Sequence, residues 1–177
     1  MLIYIMSNIT LPTGTKKILF AKSEIKDEVK AQKRKYIKDY RKEEKNNNFI
    51  HDDNYNAYLF NINKKYFIID VDTEHALNYI KSLLIKYDIN NDNITKSISN
   101  FKIRGEKINP FKFHIYFKNN LNIEKDNLID GLDLLTNRLI FEDSKRFDNN
   151  INLDELPELN EEFYKDILLY KPLEEEK

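Results

Sequence analysis

Asp70 and Asp72, at the end of the apolar run YFIIDVDT (Tyr66 to Thr73), are the residues whose type and spacing most directly suggest chemistry. Alternate side chains of a strand share a face, so both aspartates project together from its carboxyl end while Val71 turns into the interior. Such a pair is a hard, oxygen-rich site for a divalent cation. Mg²⁺ and Mn²⁺ favour one or two carboxylates plus substrate phosphates, which points to chemistry on a phosphorylated substrate. A strand-terminal Asp has a second reading, because it also turns the chain and caps a following helix.

Two further segments offer the groups such a site would need. In FKFHIYFK, Phe111, Phe113, Ile115 and Phe117 occupy one face of a strand, and Lys112, His114, Tyr116 and Lys118 the other. Lys112 and His114 are therefore co-facial, a spacing that suits two donors on neighbouring oxygens of one anion. An exposed or internally satisfied histidine fits the same pattern. A two-metal site requires a third acid. Asp133, set among Leu132, Leu134 and Leu135 in GLDLL, is an odd place for a charge unless it is paired or holds a metal. An edge strand that turns Asp133 to water is the alternative. His75 and His51 read as structural or exposed, and Glu142 and Asp143 as weaker acids at a hairpin end.

Positioning these side chains calls for an α+β domain. Ala57 to Asn61 and Lys65 to Val71 read as a hairpin, Thr73 or Asp72 as the cap of a helix carrying Ala76, Leu77, Ile80, Leu83, Leu84 and Tyr87 on one side. Ile94 to Ser99 pairs with Phe111 to Lys118 across the loop Asn100 to Pro110, which holds Lys102, Arg104 and Lys107. Asp126 to Ile129 reads as one helical turn, and Leu132 to Leu135 with Arg138 to Glu142 as a closing hairpin around Thr136 and Asn137. Leu159, Phe163, Ile167 and Leu168 mark a C-terminal helix. Ahead of all this, Leu2 to Ile5 and Lys17 to Ala21 look like strands, Ser23 opens a basic helix, and Asn46 to Asn56 is a polar break. The expected organisation is one domain. Residues 1–56 supply a small N-terminal αβ part, 57–145 the sheet module, and 146–177 a helix with an acidic tail. An antiparallel sheet with helices on one face would leave its other face open for a ligand.

At 177 residues the chain can bury a real core, while 41% hydrophobic and 12% aromatic residues argue against extended disorder. The absence of cysteine excludes disulfides and thiolate-bound zinc. No run approaches the length of a membrane span, and the mildly apolar start lacks the pattern of a secretory leader, so the expected location is cytoplasmic. The net charge of −1 conceals a gradient. Residues 16–45 carry 12 Lys or Arg against 6 Asp or Glu, 46–141 carry 12 against 12, and 142–177 carry 5 against 12. The basic block is either a solvated helix face or a footprint for a phosphate backbone.

Taken in order, YFIIDVDT, TKSIS, FKFHIYFK and GLDLL resemble the motifs of the archaeo-eukaryotic primase superfamily, in particular the primase-polymerase domains of large DNA viruses and mobile elements. The resemblance spans roughly Ala57 to Glu142. It implies a mainly antiparallel sheet like that of an RNA-recognition module, and nucleotidyl transfer that makes or extends primers on single-stranded DNA from nucleoside triphosphates. Asp70, Asp72 and Asp133 would hold Mg²⁺ or Mn²⁺. His114 would contact the nucleotide's phosphates with Lys112 and Ser97 assisting. Lys33, Arg34, Lys35, Arg41 and Arg104 would meet the template, with Tyr36 and Tyr40 able to stack on bases. The family's compact Gly-rich approach to its histidine is replaced here by Asn100 to Pro110. Its fused helicase has no counterpart in these motifs, so a separate replicative helicase becomes an expected partner, and a viral replication site one setting. Two rivals remain open: a nucleotide-sugar glycosyltransferase using the DxD, and a noncatalytic nucleic-acid-binding replication protein with a decayed site.

Overall fold

The alternation in Tyr66–Val71 buries both faces of that strand, and the other elements gather around it. The computed structural model describes residues 16–18, 34, 57–90, 93–96, 109–143 and 153–174. In chain order they form β1 (Lys16–Ile18), β2 (Ala57–Asn61), β3 (Tyr66–Val71), α1 (Glu74–Lys86), β4 (Ile94–Lys96), β5 (Phe113–Lys118), β6 (Asn127–Ile129), β7 (Leu132–Leu135), β8 (Leu139–Asp143), a 3₁₀ turn (Leu153–Glu155) and α2 (Glu161–Ile167). The class is α+β, as expected. Five strands make an antiparallel sheet in the order β4-β5-β3-β7-β6, and β1-β2-β8 make a second sheet of three. Because β3 and β4 both run antiparallel to β5, they are parallel to each other, with α1 as the crossover and β5 between them. This is a split βαβ unit.

Each face of β3 has its own core. Phe67, Ile69 and Val71 point to the helices, where Ala76, Leu77, Ile80, Leu83 and Leu84 of α1 and Phe163 and Ile167 of α2 cover them. Tyr66 and Ile68 point the other way, into a smaller cluster with Ile62, Tyr116, Leu135, Ile140, Leu153 and Leu156. Helices thus pack on one face, while the opposite face is covered at the Tyr66 end and carries Asp70 beyond the cover.

Local chemistry sets the ends of α1. The Thr73 hydroxyl accepts from Ala76 N at 3.2 Å, and Glu74 in the first turn suits the positive end of the helix dipole. At the other end Asp88 takes the left-handed conformation (φ 52°), with Ile89 N bonded to Leu84 O and Asp88 N to Ile85 O, so these two carbonyls of the last turn are satisfied. The Asp166 carboxylate accepts from Lys86 Nζ at 2.8 Å and from the Tyr87 hydroxyl, tying α2 to the end of α1. The segment leading into α2 is tied to the end of β5 by Lys118 N to Pro157 O at 2.9 Å and to the turn that follows it by Leu159 N to Asn120 Oδ1 at 2.6 Å.

Three expectations about pairing are corrected. The run 57–61 does not form a hairpin with β3. A strand has two hydrogen-bonding edges, and β5 and β7 take both edges of β3. Asn63 and Lys64, both at positive φ, turn the chain, and β2 pairs instead with β1 and β8. Likewise β7 and β8 are not a hairpin. The edges of β7 belong to β3 and β6, and Asp126 holds the corner by accepting from Thr136 N at 2.7 Å, Asn137 N at 3.0 Å and Arg138 Nε at 3.2 Å. Residues 127–129 are a strand rather than a helical turn, because Asp130-Gly131 folds them back onto β7.

Most of residues 1–56, with the basic helix and the polar break, lie outside the described residues. No helix among the described residues is long and apolar enough to cross a membrane. Fully buried Phe163 packs on Phe117 of β5, with ring centroids 5.5 Å apart. Phe163→Ala should therefore destabilise the whole domain by about 3–5 kcal/mol in urea unfolding, in one transition shared by sheet and C-terminal helix.

Candidate functional site

Antiparallel pairing aligns residues of neighbouring strands directly opposite one another, and here it places the chemistry-bearing side chains in one row. Asp70 of β3 is opposite His114 of β5 on one side and Asp133 of β7 on the other. The row extends outward to Thr95 of β4, opposite His114, and to Leu128 of β6, opposite Asp133. Since Phe67, Ile69 and Val71 face the helices, Asp70 and its row partners face away from them. Asp72 follows β3 by one residue and returns to the same face.

Asp72 is positioned by its backbone. Its N–H donates to Gly131 O at 3.0 Å, and its carbonyl accepts from Asn109 Nδ2 at 2.8 Å. Asn109 also uses Oδ1 to accept from Phe111 N at 3.0 Å, fixing the turn that leads to Lys112. Gly131 has φ 82°, and a Cβ there would stand 2.8 Å from Thr73 Oγ1 and 3.1 Å from Thr73 Cγ2. Glycine is required at this close approach of the β6–β7 turn to the residue that caps α1.

Asp70, Asp72 and Asp133 can each offer a carboxylate oxygen such that all three lie within 4.8 Å of one another. Neighbouring oxygens in the octahedral shell of an ion bonded at 2.0–2.1 Å are separated by about 3 Å, so the three side chains would draw inward to close the set. An all-carboxylate donor set is the hard kind that Mg²⁺ or Mn²⁺ takes. The residues present fit such an ion.

Two basic side chains accompany the acids. Buried His114 brings Nε2 to 3.3 Å from Asp70 Oδ1, and its ring meets Tyr116 edge-on. The Lys112 ammonium forms an ion pair with Asp72 Oδ1 and lies 3.5 Å from Asp70 Oδ1. These charges separate the acids. Burial pushes the Asp70 carboxyl up, but His114 and Lys112 outweigh it and hold the group below its ordinary value. Asp72 is pushed up by burial and by the Asp70 charge, more than Lys112 brings it down. Asp133 is pushed up to about 6 by burial and by the charges of Asp70 and Asp72.

The structure thus brings together Asp70, Asp72, Asp133, His114 and Lys112. Arg34 is helical and exposed, whereas Ser97, Lys33, Lys35, Arg41 and Arg104 lie outside the described residues. Thr95, the first residue of TKSIS, stands opposite His114, and two supporting residues escaped the sequence reading: Asn109 and Gly131. The Asp130-Gly131 and Asn109-Pro110 doublets are turn signals that could have flagged the last two. No protein-family model, curated protein or solved structure matches the chain.

The raised Asp133 value has a signed consequence. Between about 4 and 6 the folded chain binds more protons than the unfolded one, so ionised Asp133 costs stability at neutral pH and the cost is relieved as pH falls through 6. With solvent screening at this half-buried group, Asp133→Asn should stabilise the metal-free protein by about 1 kcal/mol at pH 7. The gain should vanish near pH 4, as read by denaturant melts at the two pH values.

Proposed function

We propose that this chain is a metal-dependent nucleotidyltransferase of the primase-polymerase kind, making or extending primers on single-stranded DNA from nucleoside triphosphates. One observation carries the reading: Asp70, Asp133 and His114 share a single cross-strand row, with Asp72 within a cation's reach on the same face. The motif resemblance names those same four residues, although they come from three strands and the segment following one of them. In this reading Asp70, Asp72 and Asp133 hold Mg²⁺ or Mn²⁺. When bound, the ion would lower the pKa of the attacking primer hydroxyl and neutralise charge developing on the phosphoryl oxygens as pyrophosphate leaves.

The protein's own groups then orient and balance charge. His114 steadies the Asp70 carboxylate through Nε2, which leaves the acid ionised and aimed. His114 and Lys112 together put positive charge beside the acids, where a triphosphate would lie. Template contact falls to Arg34 with Lys33, Lys35, Arg41 and Arg104, and duplex opening to a separate helicase.

The noncatalytic reading has one observation in its favour, the Lys112 ammonium resting on Asp70 and Asp72 as in a structural ion-pair network. Primer synthesis separates the two. Asp70→Ala with Asp72→Ala should lower Mn²⁺-dependent extension on a single-stranded template by about a thousandfold or more while the circular dichroism spectrum stays native. Extension by the double variant at the unmodified rate would remove the assignment, and template binding without synthesis by the unmodified protein would favour the noncatalytic reading.

A further inference from the structure

Lys112 is the side chain whose position differs most from the role the resemblance implies. It precedes β5 and is mostly buried, and its ammonium reaches across to the carboxylates of Asp70 and Asp72, two of the three acids that face one another on this side of the sheet. A cation held between two of the carboxylates that a divalent ion would use is electrostatically a substitute for that ion. Like charges at such separations in a partly buried site cannot both be accommodated without cost.

We propose that Lys112 is a tethered counter-ion that a divalent cation must displace, so that filling the acid site and releasing the ammonium are one event. This rests on the metal-binding reading of Asp70, Asp72 and Asp133. The tether makes the exchange reversible. The β5 end stays anchored through Asn109, so the ammonium moves by side-chain rotation alone and remains next to the site it has left. Once released, it is a cation with its carboxylates taken, beside a site meant for phosphate oxygens. Metal entry and anion capture would therefore reinforce each other. Without an ion, Lys112 offsets part of the repulsion between Asp70 and Asp72.

The experiment is Mn²⁺ titration at fixed pH and salt, read by calorimetry and by loss of the free-ion spin-resonance signal, on the unmodified chain and on Lys112→Met. Removing the resident cation should tighten Mn²⁺ binding by about tenfold or more. It should also lower the melting temperature of the metal-free variant, and Mn²⁺ should restore it. Lys112→Gln, which keeps a polar tip, serves should the Met variant fail to fold. Equal or weaker Mn²⁺ binding by the variants overturns the counter-ion, as does an absence of binding by either protein. The two ideas fail separately. Primer synthesis with unchanged Mn²⁺ affinity in Lys112→Met removes the counter-ion alone, whereas tightened Mn²⁺ binding without synthesis by the unmodified chain removes nucleotidyl transfer alone.

Discussion

Both edges and both faces of β3 are occupied, and most other features follow from that saturation. β5 and β7 hold the edges, the helices cover one face, and the cluster around Tyr66 and Ile68 covers part of the other. With no edge left on β3, the strands before it and after β7 must pair elsewhere, which is why β2 and β8 meet in a separate sheet. The same saturation brings His114 and Asp133 to either side of Asp70. Neighbours on a central strand have no lateral freedom, so the spacing of those three side chains is inherited from the hydrogen-bond ladder.

Charge is the other side of that rigidity. Three carboxylates stand together where sheet packing limits how far they can separate, and the chain answers with His114 and Lys112. The balance is uneven: Asp70, the acid that both bases reach, stays below its ordinary value, while Asp133, on the far side of the row, is lifted to about 6. Such an arrangement costs stability in its metal-free form, as clustered functional groups commonly do. Stability comes instead from places remote from the acids, such as Phe163 on Phe117 and Asp166 between the two helices.

What could be read from the sequence was what depends on near neighbours. Alternation in YFIIDVDT and FKFHIYFK assigned Asp70 and His114 to the face away from the helices, and Thr73 was legible as the cap of α1. The β4–β5 pair was legible too, from two apolar runs around a basic loop. Strand partnership was not, because it depends on which edges are already taken, a property of the whole sheet. Adjacent runs looked like hairpins at 57–71 and 132–142, yet β5 and β6 had the stronger claims on β3 and β7. Asp126 looked like the start of a helical turn and instead brackets the corner after β7 through three hydrogen bonds. The Lys112 position depends on the reach of a flexible side chain toward two specific carboxylates, which no residue pattern encodes.

The approach of Gly131 to Thr73 bears on how this domain tolerates change in length. A two-residue hairpin turn at a sheet edge is ordinarily where insertions are absorbed and foreign segments can be grafted. Here the turn's carbonyl holds the Asp72 backbone, and the space beside its α-carbon is filled by the capping threonine of α1. Lengthening the Asp130-Gly131 turn would loosen an acid and uncap a helix in one step. A short surface loop in this fold carries the constraints of an interior position.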